Sequence, residues 1–175
     1  LERRQAAGLK GVKGIQESLQ QVRLLAGLMP AHGPGIVVAL NDSPNLKPEE
    51  TNQGVINNNL VHDYDVLGIV NELFSAGAEA VSVNGQRMVA TSSIRCVGST
   101  ILVNSVQVAP PIMIKAIGDA DVLEKSLMLP GGAAEDLFLL DMIEVTKQKD
   151  IVVPAYEGTI RFHAAKPVEK KARKR

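Results

Sequence analysis

Aromatic side chains are scarce in this chain, which has three Phe, two Tyr and no Trp among 175 residues. Because 45% of the residues are nevertheless hydrophobic, the core must be built from aliphatic side chains. Proteins that bind single-stranded nucleic acid stack the bases on aromatic rings, so the shortage also argues against that class of partner. We therefore predict an aliphatic globular domain without a nucleic-acid partner.

Cysteine occurs once, at Cys96, which excludes an internal disulfide and a zinc site built from cysteines. Cys96 lies among strand-forming residues, so a buried, inert thiol is favoured over a reactive one. Residues 62–65 (His-Asp-Tyr-Asp) are of types that bind metals, but the other histidines, His32 and His163, fall in unrelated segments. We predict no metal and no cofactor.

Motifs of catalysis and of membrane insertion are also missing. The sequence contains no phosphate-binding loop, no dinucleotide fingerprint and no Gly-x-Ser-x-Gly elbow. No apolar run in it approaches the roughly 18 residues that a membrane span requires. We therefore expect these residues to carry no enzymatic activity and no membrane span of their own.

Charge is balanced overall but unevenly distributed. The 19 basic and 19 acidic residues give a formal net charge of 0, although residues 166–175 hold six Lys or Arg and one Glu. That segment therefore carries +5, which leaves −5 on residues 1–165. Because the segment also lacks apolar periodicity, we predict that residues 158–175 form a basic, mostly disordered tail whose charge is solvated.

A heptad pattern marks the N-terminal segment. Residues 4–29 are predicted to form a helix, because apolar side chains recur with the spacing 3-4-3-4-3 at Val12, Ile15, Leu19, Val22, Ala26 and Met29. Pro30 and residues 33–35 (Gly-Pro-Gly) are predicted to end it. Region 1–30 is thus predicted to be a coiled-coil-like helix that self-associates. The alternative is an amphipathic helix packed on its own domain.

The next part of the chain has the pattern of a strand, a helix and a strand. Residues 36–40 form an apolar run typical of a buried strand, and residues 80–83 predict another. Residues 63–76 predict an amphipathic helix, with Asp63 as its N-cap and Gly77 as its stop. These elements predict a βαβ unit with a right-handed crossover.

A second βαβ unit is predicted from a strand at 112–117, helices at 120–128 and 133–140, and a strand at 142–148. A turn at 149–150 and an edge segment at 151–153 are predicted to follow it. Between the two units, Asn84-Gly85 and Gly98-Ser99 predict hairpin turns. Residues 31–157 are therefore predicted to be an α+β domain, a ferredoxin-like mixed sheet built from two βαβ halves with inserted hairpins. Residues 45–59 are predicted to be a loop, either functional or mobile. Residues 106–111 are predicted to be a second loop, closed by Pro110-Pro111.

Four polar side chains near the first hairpin are the best candidates for binding a ligand: Asn84, Gln86, Arg87 and Arg95. They belong to one hairpin and a neighbouring strand, so we expect them to meet at one end of the sheet. Arginine binds carboxylate or phosphate through two parallel hydrogen bonds, so the predicted ligand is a small anion. The alternative is that Asn84-Gly85 only makes the turn and the other side chains support loops.

Several spaced motifs resemble the bacterial domain of unknown function 881. The motifs, covering about residues 20–157, are Gly33 to Val38, Asn41 to Pro44, Val61 to Asp65, Val70 to Ala80, Val81 to Asn104 and Ile114 to Asp119. The resemblance implies a membrane anchor ahead of Leu1, a coiled coil and an extracytoplasmic domain at the cell membrane. It also implies, for some members, a gene beside cell-division genes. It brings no catalytic residues.

Two functional hypotheses follow. The first is a noncatalytic scaffold or partner-binding domain of a membrane-anchored bacterial protein, linked to cell division or envelope processes and self-associating through the N-terminal helix. The second is a domain that senses a small anionic ligand at the end of the sheet that holds Asn84 and Arg95. An enzyme is the least favoured alternative.

Overall fold

The structure, a computed structural model, describes residues 2–98, 100–166 and 168, with the backbone alone for residues 2–11. The elements in chain order are α1 (Glu2–Leu25), β1 (Ala31–Leu40), α2 (Gln53–Asn58), α3 (Asp63–Ser75), β2 (Ala80–Val83), β3 (Gln86–Arg87), β4 (Ile94–Val97), β5 (Thr100–Val103), β6 (Val106–Val108), β7 (Ile112–Ile117), α4 (Ala120–Leu127), α5 (Glu135–Leu139) and β8 (Ile143–Val153). The predicted α+β class is confirmed. Of the predicted tail, residues 158–166 and 168 are described and form no helix or strand, and residues 167 and 169–175 lie outside the described residues.

Two sheets organise the domain. The larger has the strand order β3-β2-β7-β1-β8, and the smaller has the order β4-β5-β6. Every described pairing is antiparallel, so the prediction of a mixed sheet is wrong. The physical reason is that β7 lies between β1 and β2. These two strands share a direction, as the βαβ pattern requires, but they do not pair with each other.

One face of the larger sheet carries the main core. Alternate side chains of β1 and β7 point to this face, where α3 and α4 cover them. The fully buried members include Ile36, Val38, Leu40, Ile112, Ile114, Val66, Ile69, Leu73 and Leu123. Each such side chain stabilises the fold by roughly 1.5–3 kcal/mol through burial alone. The core is aliphatic, as the composition predicts.

The opposite face of the larger sheet carries a smaller apolar cluster. It consists of Val37, Ala80, Ile117, Ile151 and Val153, with Ala31 packed against it. This cluster lies at the end of the sheet where α1 leads into β1. The segment that joins the helix to the domain therefore sits beside a second, independent patch of buried surface.

Strand β8 differs from the prediction, because it runs unbroken over 11 residues where a turn at 149–150 was expected. The pairing shifts between Gly33 and Gly35, which oppose Ile151 and Gln148, so β8 has one extra residue there. Pro34, which lies between the two glycines, has no N–H to give to the ladder. Lys149 and Asp150 therefore form a bulge rather than a turn.

Residues 33–35 were predicted to help end α1. They lie inside β1 instead. The helix is ended earlier by Gly27, which has a φ of 73°. Leu28 N–H donates to Arg23 O at 2.8 Å, and Gly27 N–H donates to Leu24 O at 2.9 Å. These two bonds form a Schellman motif, in which a glycine in the left-handed region closes the last turn.

Two further segments are more regular than predicted. Residues 45–59 were expected to be a loop, but they contain α2, where Asn52 Oδ1 accepts the Gly54 N–H at 2.9 Å. Residues 106–108 were also expected to lie in a loop, and they form the edge strand β6. Residues 45–59 lack the apolar periodicity that sequence reasoning depends on, and β6 is only three residues long.

Candidate functional site

The exposed face of α1 is the first candidate interaction surface. Its apolar side chains are largely open to solvent, with exposures of 55% for Val12, 70% for Ile15, 55% for Leu19 and 61% for Val22. Every residue from 12 to 26 is exposed. The alternative that this helix packs on its own domain is therefore wrong for these residues. The apolar row, which we call the α1 seam, lacks a partner within the described part of the chain.

The last two residues of the predicted row, Ala26 and Met29, lie beyond the end of α1. Ala26 is exposed but follows the last helical residue, and Met29 is partly buried in the connection to β1. No helix among the described residues is both long enough and apolar enough to cross a membrane. The 24 residues of α1 would extend over about 36 Å at 1.5 Å per residue.

The connection between α1 and the domain is held by Arg87. Its guanidinium donates to Met29 O at 3.3 Å and to Pro154 O at 3.1 Å. A third bond joins the same two segments, because Tyr156 N–H donates to Gly27 O at 2.8 Å. The chain entering β1 and the chain leaving β8 are thereby tied to the β2–β3 hairpin. We call this arrangement the Arg87 clamp.

Arg87 is almost completely buried, with 4% of its surface exposed. It lies opposite Ser82 in the β2–β3 pairing, so both side chains are on the sheet face away from the helices. Burial lowers the pKa of Arg87, although an arginine stays protonated. Among the described residues, no carboxylate lies within salt-bridge distance of it. The backbone carbonyls are therefore its principal partners.

Asn84 is occupied in building the hairpin. Asn84 and Gly85 have φ angles of 44° and 79°, and they join Val83 to Gln86 in a two-residue loop. This is the positive-φ turn that the Asn-Gly pair predicts. Asn84 Oδ1 accepts the Met113 N–H at 2.6 Å, and the Asn84 N–H donates to Met113 O at 2.8 Å. The side chain thus fixes the hairpin to β7.

The four predicted ligand-binding side chains have separate surroundings. Arg95 is exposed on β4, in the smaller sheet, whereas Arg87 is buried in the larger one. Gln86 is half-buried on β3. No described hydrogen bond joins any of Asn84, Gln86, Arg87 and Arg95 to another of the four. Anion binding by this set therefore stays a prediction, and the described geometry lends it no support.

Sequence reasoning missed a link between α3 and the smaller sheet. Asp63 Oδ2 accepts the Cys96 N–H at 2.6 Å, and Asp63 Oδ1 accepts the Tyr64 N–H at 3.0 Å. The bond from Cys96 is the main reason that the pKa of Asp63 is lowered. Asp63 is also not the N-cap that was predicted, because His62 takes that position, with its N–H bonded to Asp65 Oδ2 at 2.8 Å.

Cys96 is exposed, which corrects the prediction of a buried thiol. It lies on β4, three of whose four residues are exposed. Nearby residues partly desolvate the thiol, which raises the pKa of Cys96. The strand pattern around Cys96 indicated a sheet correctly, but this sheet has only three strands and leaves the cysteine at its surface.

The fold and this surface define a class of protein: an α+β domain entered through a long helix with an exposed apolar face. A family model described as bacterial protein of unknown function (DUF881) matches residues 18–166. The chain belongs to this family. The resemblance stated from the sequence motifs is thereby confirmed.

Two relatives from different bacteria illustrate the similarity. The chain is 38% identical to the UPF0749 protein YlxW of Bacillus subtilis over 78% of its own length and 57% of the relative's. It is 32% identical to the UPF0749 protein Rv1823 of Mycobacterium tuberculosis over 80% and 45% of the two lengths. Thus the chain spans only about half the length of these relatives.

A solved structure of an uncharacterized conserved protein from Mycobacterium tuberculosis has a similar fold. The TM-score is 0.67 at 25% sequence identity, covering 86% of this chain and 99% of the other. None of the names of these relatives states an enzymatic activity.

Proposed function

We propose that this chain is a noncatalytic scaffold or partner-binding module that self-associates through the α1 seam. The observation that carries the proposal is the exposure of four large apolar side chains in heptad spacing, Val12, Ile15, Leu19 and Val22. Contiguous exposed apolar surface of this kind is typical of an interaction site. Heptad spacing places all four on one side of a helix, where another helix packs.

The energetics of α1 also favour a partner. Gly8, Gly11 and Gly14 each destabilise a helix by about 1 kcal/mol relative to Ala. A helix in a protein gains most of its stability from packing its apolar face, and an isolated helix is marginal in water. Burying an apolar side chain that is 55–70% exposed stabilises an assembly by roughly 1 kcal/mol or more. Association would therefore supply the packing that the domain itself does not provide.

The Arg87 clamp supports a role for α1 as a positioned element. Three hydrogen bonds, at 3.3, 3.1 and 2.8 Å, fix the chain between Gly27 and Met29 to the domain. Because the join is short and bonded, the direction in which α1 leaves the domain is determined by the fold. A scaffold needs this property, since it presents its domains in a defined arrangement.

The membrane and cell-division parts of the proposal rest on the resemblance to the family. Its usual organisation places an anchor ahead of a coiled coil, with this domain outside the cytoplasm. Cys96 offers a test, because it is exposed and is the single cysteine of these residues. In intact cells, a membrane-impermeant maleimide should label Cys96 of the full-length protein. Labelling that requires permeabilised cells would contradict an extracytoplasmic domain.

We also propose that the larger sheet is a variant of the ferredoxin-like arrangement. The order β2-β7-β1-β8, with a helix following β1 and another following β7, supports this assignment. Strand β3 then extends the sheet at one edge. The smaller sheet is the insertion between the two βαβ halves.

The test of self-association is a substitution in the α1 seam. Leu19→Asp places a charge in the row, and Gln20→Asp places the same charge on the next residue, outside it. We expect Leu19→Asp to reduce the solution mass to that of one chain, 18.7 kDa, and Gln20→Asp to leave the assembled mass unchanged. Equal masses for both variants and the unmodified chain would contradict the proposal.

A further inference from the structure

The seam of α1 has an unusual assignment of residue types to its heptad positions. The step from Val12 to Ile15 is three residues and the step from Ile15 to Leu19 is four, so Val12 and Leu19 occupy a positions and Ile15 occupies a d position. Val22 is the next d position, and Ala26 the next a position. Both d positions within the helix therefore hold β-branched residues, and the leucine stands at a.

Leu19 at a, between Ile15 and Val22 at d, is the reverse of the pattern that favours two helices, and Val12 at the other a position is β-branched like the d residues. Parallel dimers prefer Ile or Val at a and Leu at d, whereas Leu at a with Ile at d shifts the preference to bundles of three or four helices. We propose that α1 assembles copies of this chain into a bundle of three or more helices rather than a dimer. The proposal rests on the self-association proposed above, and it identifies the partners as further copies of this chain.

The flanking positions fit such a bundle. When a coiled coil contains more helices, the buried stripe on each helix is wider and includes positions beside a and d. The g positions are Ser18 and Leu25, neither charged, and Leu25 is 87% exposed in the single chain. The Ser18 hydroxyl already donates to Gly14 O at 2.9 Å, so its burial leaves no unpaired donor.

The e positions are compatible with identical neighbours. They hold Gln16 and Arg23, and in a parallel arrangement Arg23 faces Ser18 of the neighbouring copy. No pair of like charges is therefore brought together across the interface. A row that is apolar at a and d and free of charge conflict at e and g is complementary to itself.

The test exchanges residue types while keeping every position of the seam aliphatic. In the intact chain, the triple substitution Ile15→Leu, Leu19→Ile and Val22→Leu places leucine at d and a β-branched residue at the central a position. Leu24→Ile, outside the seam, is the control. Sedimentation equilibrium over a wide concentration range gives the mass of each assembly.

We expect the unmodified chain and the control to reach three or more times 18.7 kDa, and the triple variant to reach two times that mass. An unmodified chain that stops at the dimer would overturn the bundle and leave self-association standing. A chain that remains monomeric would overturn both. An unmodified bundle whose mass the triple substitution does not change would refute the argument from the d positions.

Discussion

Replacing Arg87 with methionine should loosen the join between α1 and the domain. Methionine keeps an unbranched side chain of similar length and removes the guanidinium. Met29 O and Pro154 O, which accept from it at 3.3 and 3.1 Å in partly buried surroundings, then lose their donor. The backbone carbonyl of Arg87 keeps its own bonds from Ser92 and Asn104, so the hairpin should stay intact.

The size of the effect follows from the two lost bonds. A hydrogen bond to a charged group stabilises a fold by roughly 1.5–3 kcal/mol, which gives about 3–6 kcal/mol for two. Removing Arg87 also removes the desolvation cost of a charge that is 4% exposed and has no described carboxylate partner. The two bonds are long, and we expect a net loss of about 2–4 kcal/mol in the free energy of unfolding.

Denaturant unfolding of the intact chain measures this loss, and Arg95→Met is the matched control. Arg95 is exposed, so its replacement should change the free energy of unfolding by less than about 0.5 kcal/mol. Amide exchange should speed up locally, at residues 26–29 and 155–156. Equal stabilities for the two variants would refute the clamp and would reopen anion binding as a role for Arg87.

Three smaller predictions concern other polar and glycine positions. Ser82 Oγ is buried without a described hydrogen-bond partner, so Ser82→Ala should raise the free energy of unfolding by up to about 1 kcal/mol, measured by denaturant unfolding. A Cβ on Gly35 would lie 1.9 Å from Ala116 O, so Gly35→Ala should destabilise the sheet by about 1–3 kcal/mol or more, measured by thermal unfolding. Asp63→Asn should cost about 1 kcal/mol at neutral pH, because it weakens the bond to the Cys96 N–H. Since the pKa of Asp63 is lowered in the fold, its contribution is present above the ordinary value near 3.8 and is lost as the pH falls through the lowered one.

Two control variants, Gly14→Ala and Glu157→Gln, accompany these three measurements. Gly14→Ala adds a methyl group where no atom lies within 4 Å, so it should not destabilise the domain. Glu157→Gln, at an exposed position, should show no comparable loss of stability at neutral pH. A destabilising Ser82→Ala would mean that the hydroxyl has a partner. A stability difference between Asp63→Asn and the unmodified chain that persists at pH 2 would contradict the assigned role of Asp63.

Local signals in the sequence predicted local structure well. The helix α3 and its stop at Gly77 follow from apolar periodicity and a glycine that has a φ of 93°. The Asn84-Gly85 turn follows from two residues that tolerate positive φ. Two of the predictions that failed, the mixed sheet and the turn at 149–150, depend on pairing across the sheet. The bulge at 149–150 is determined by Pro34 on β1, which lies more than 100 residues earlier in the chain.

The role of Arg87 was hidden for the same reason. Its acceptors, Met29 O and Pro154 O, are 58 and 67 residues away, so no spacing pattern connects them. The sequence showed an arginine beside a hairpin, which is equally typical of an anion site. The heptad seam, in contrast, is a local pattern. Its members within the helix are found exposed, at 55–70%.

The central claim is self-association through α1, and the solution mass of the intact chain across a dilution series tests it most directly. Light scattering should give a whole multiple of 18.7 kDa at high concentration, falling toward 18.7 kDa on dilution. The helical circular dichroism signal should fall together with the mass, since α1 depends on its partners for packing. A mass that stays at 18.7 kDa up to millimolar concentration would contradict the claim.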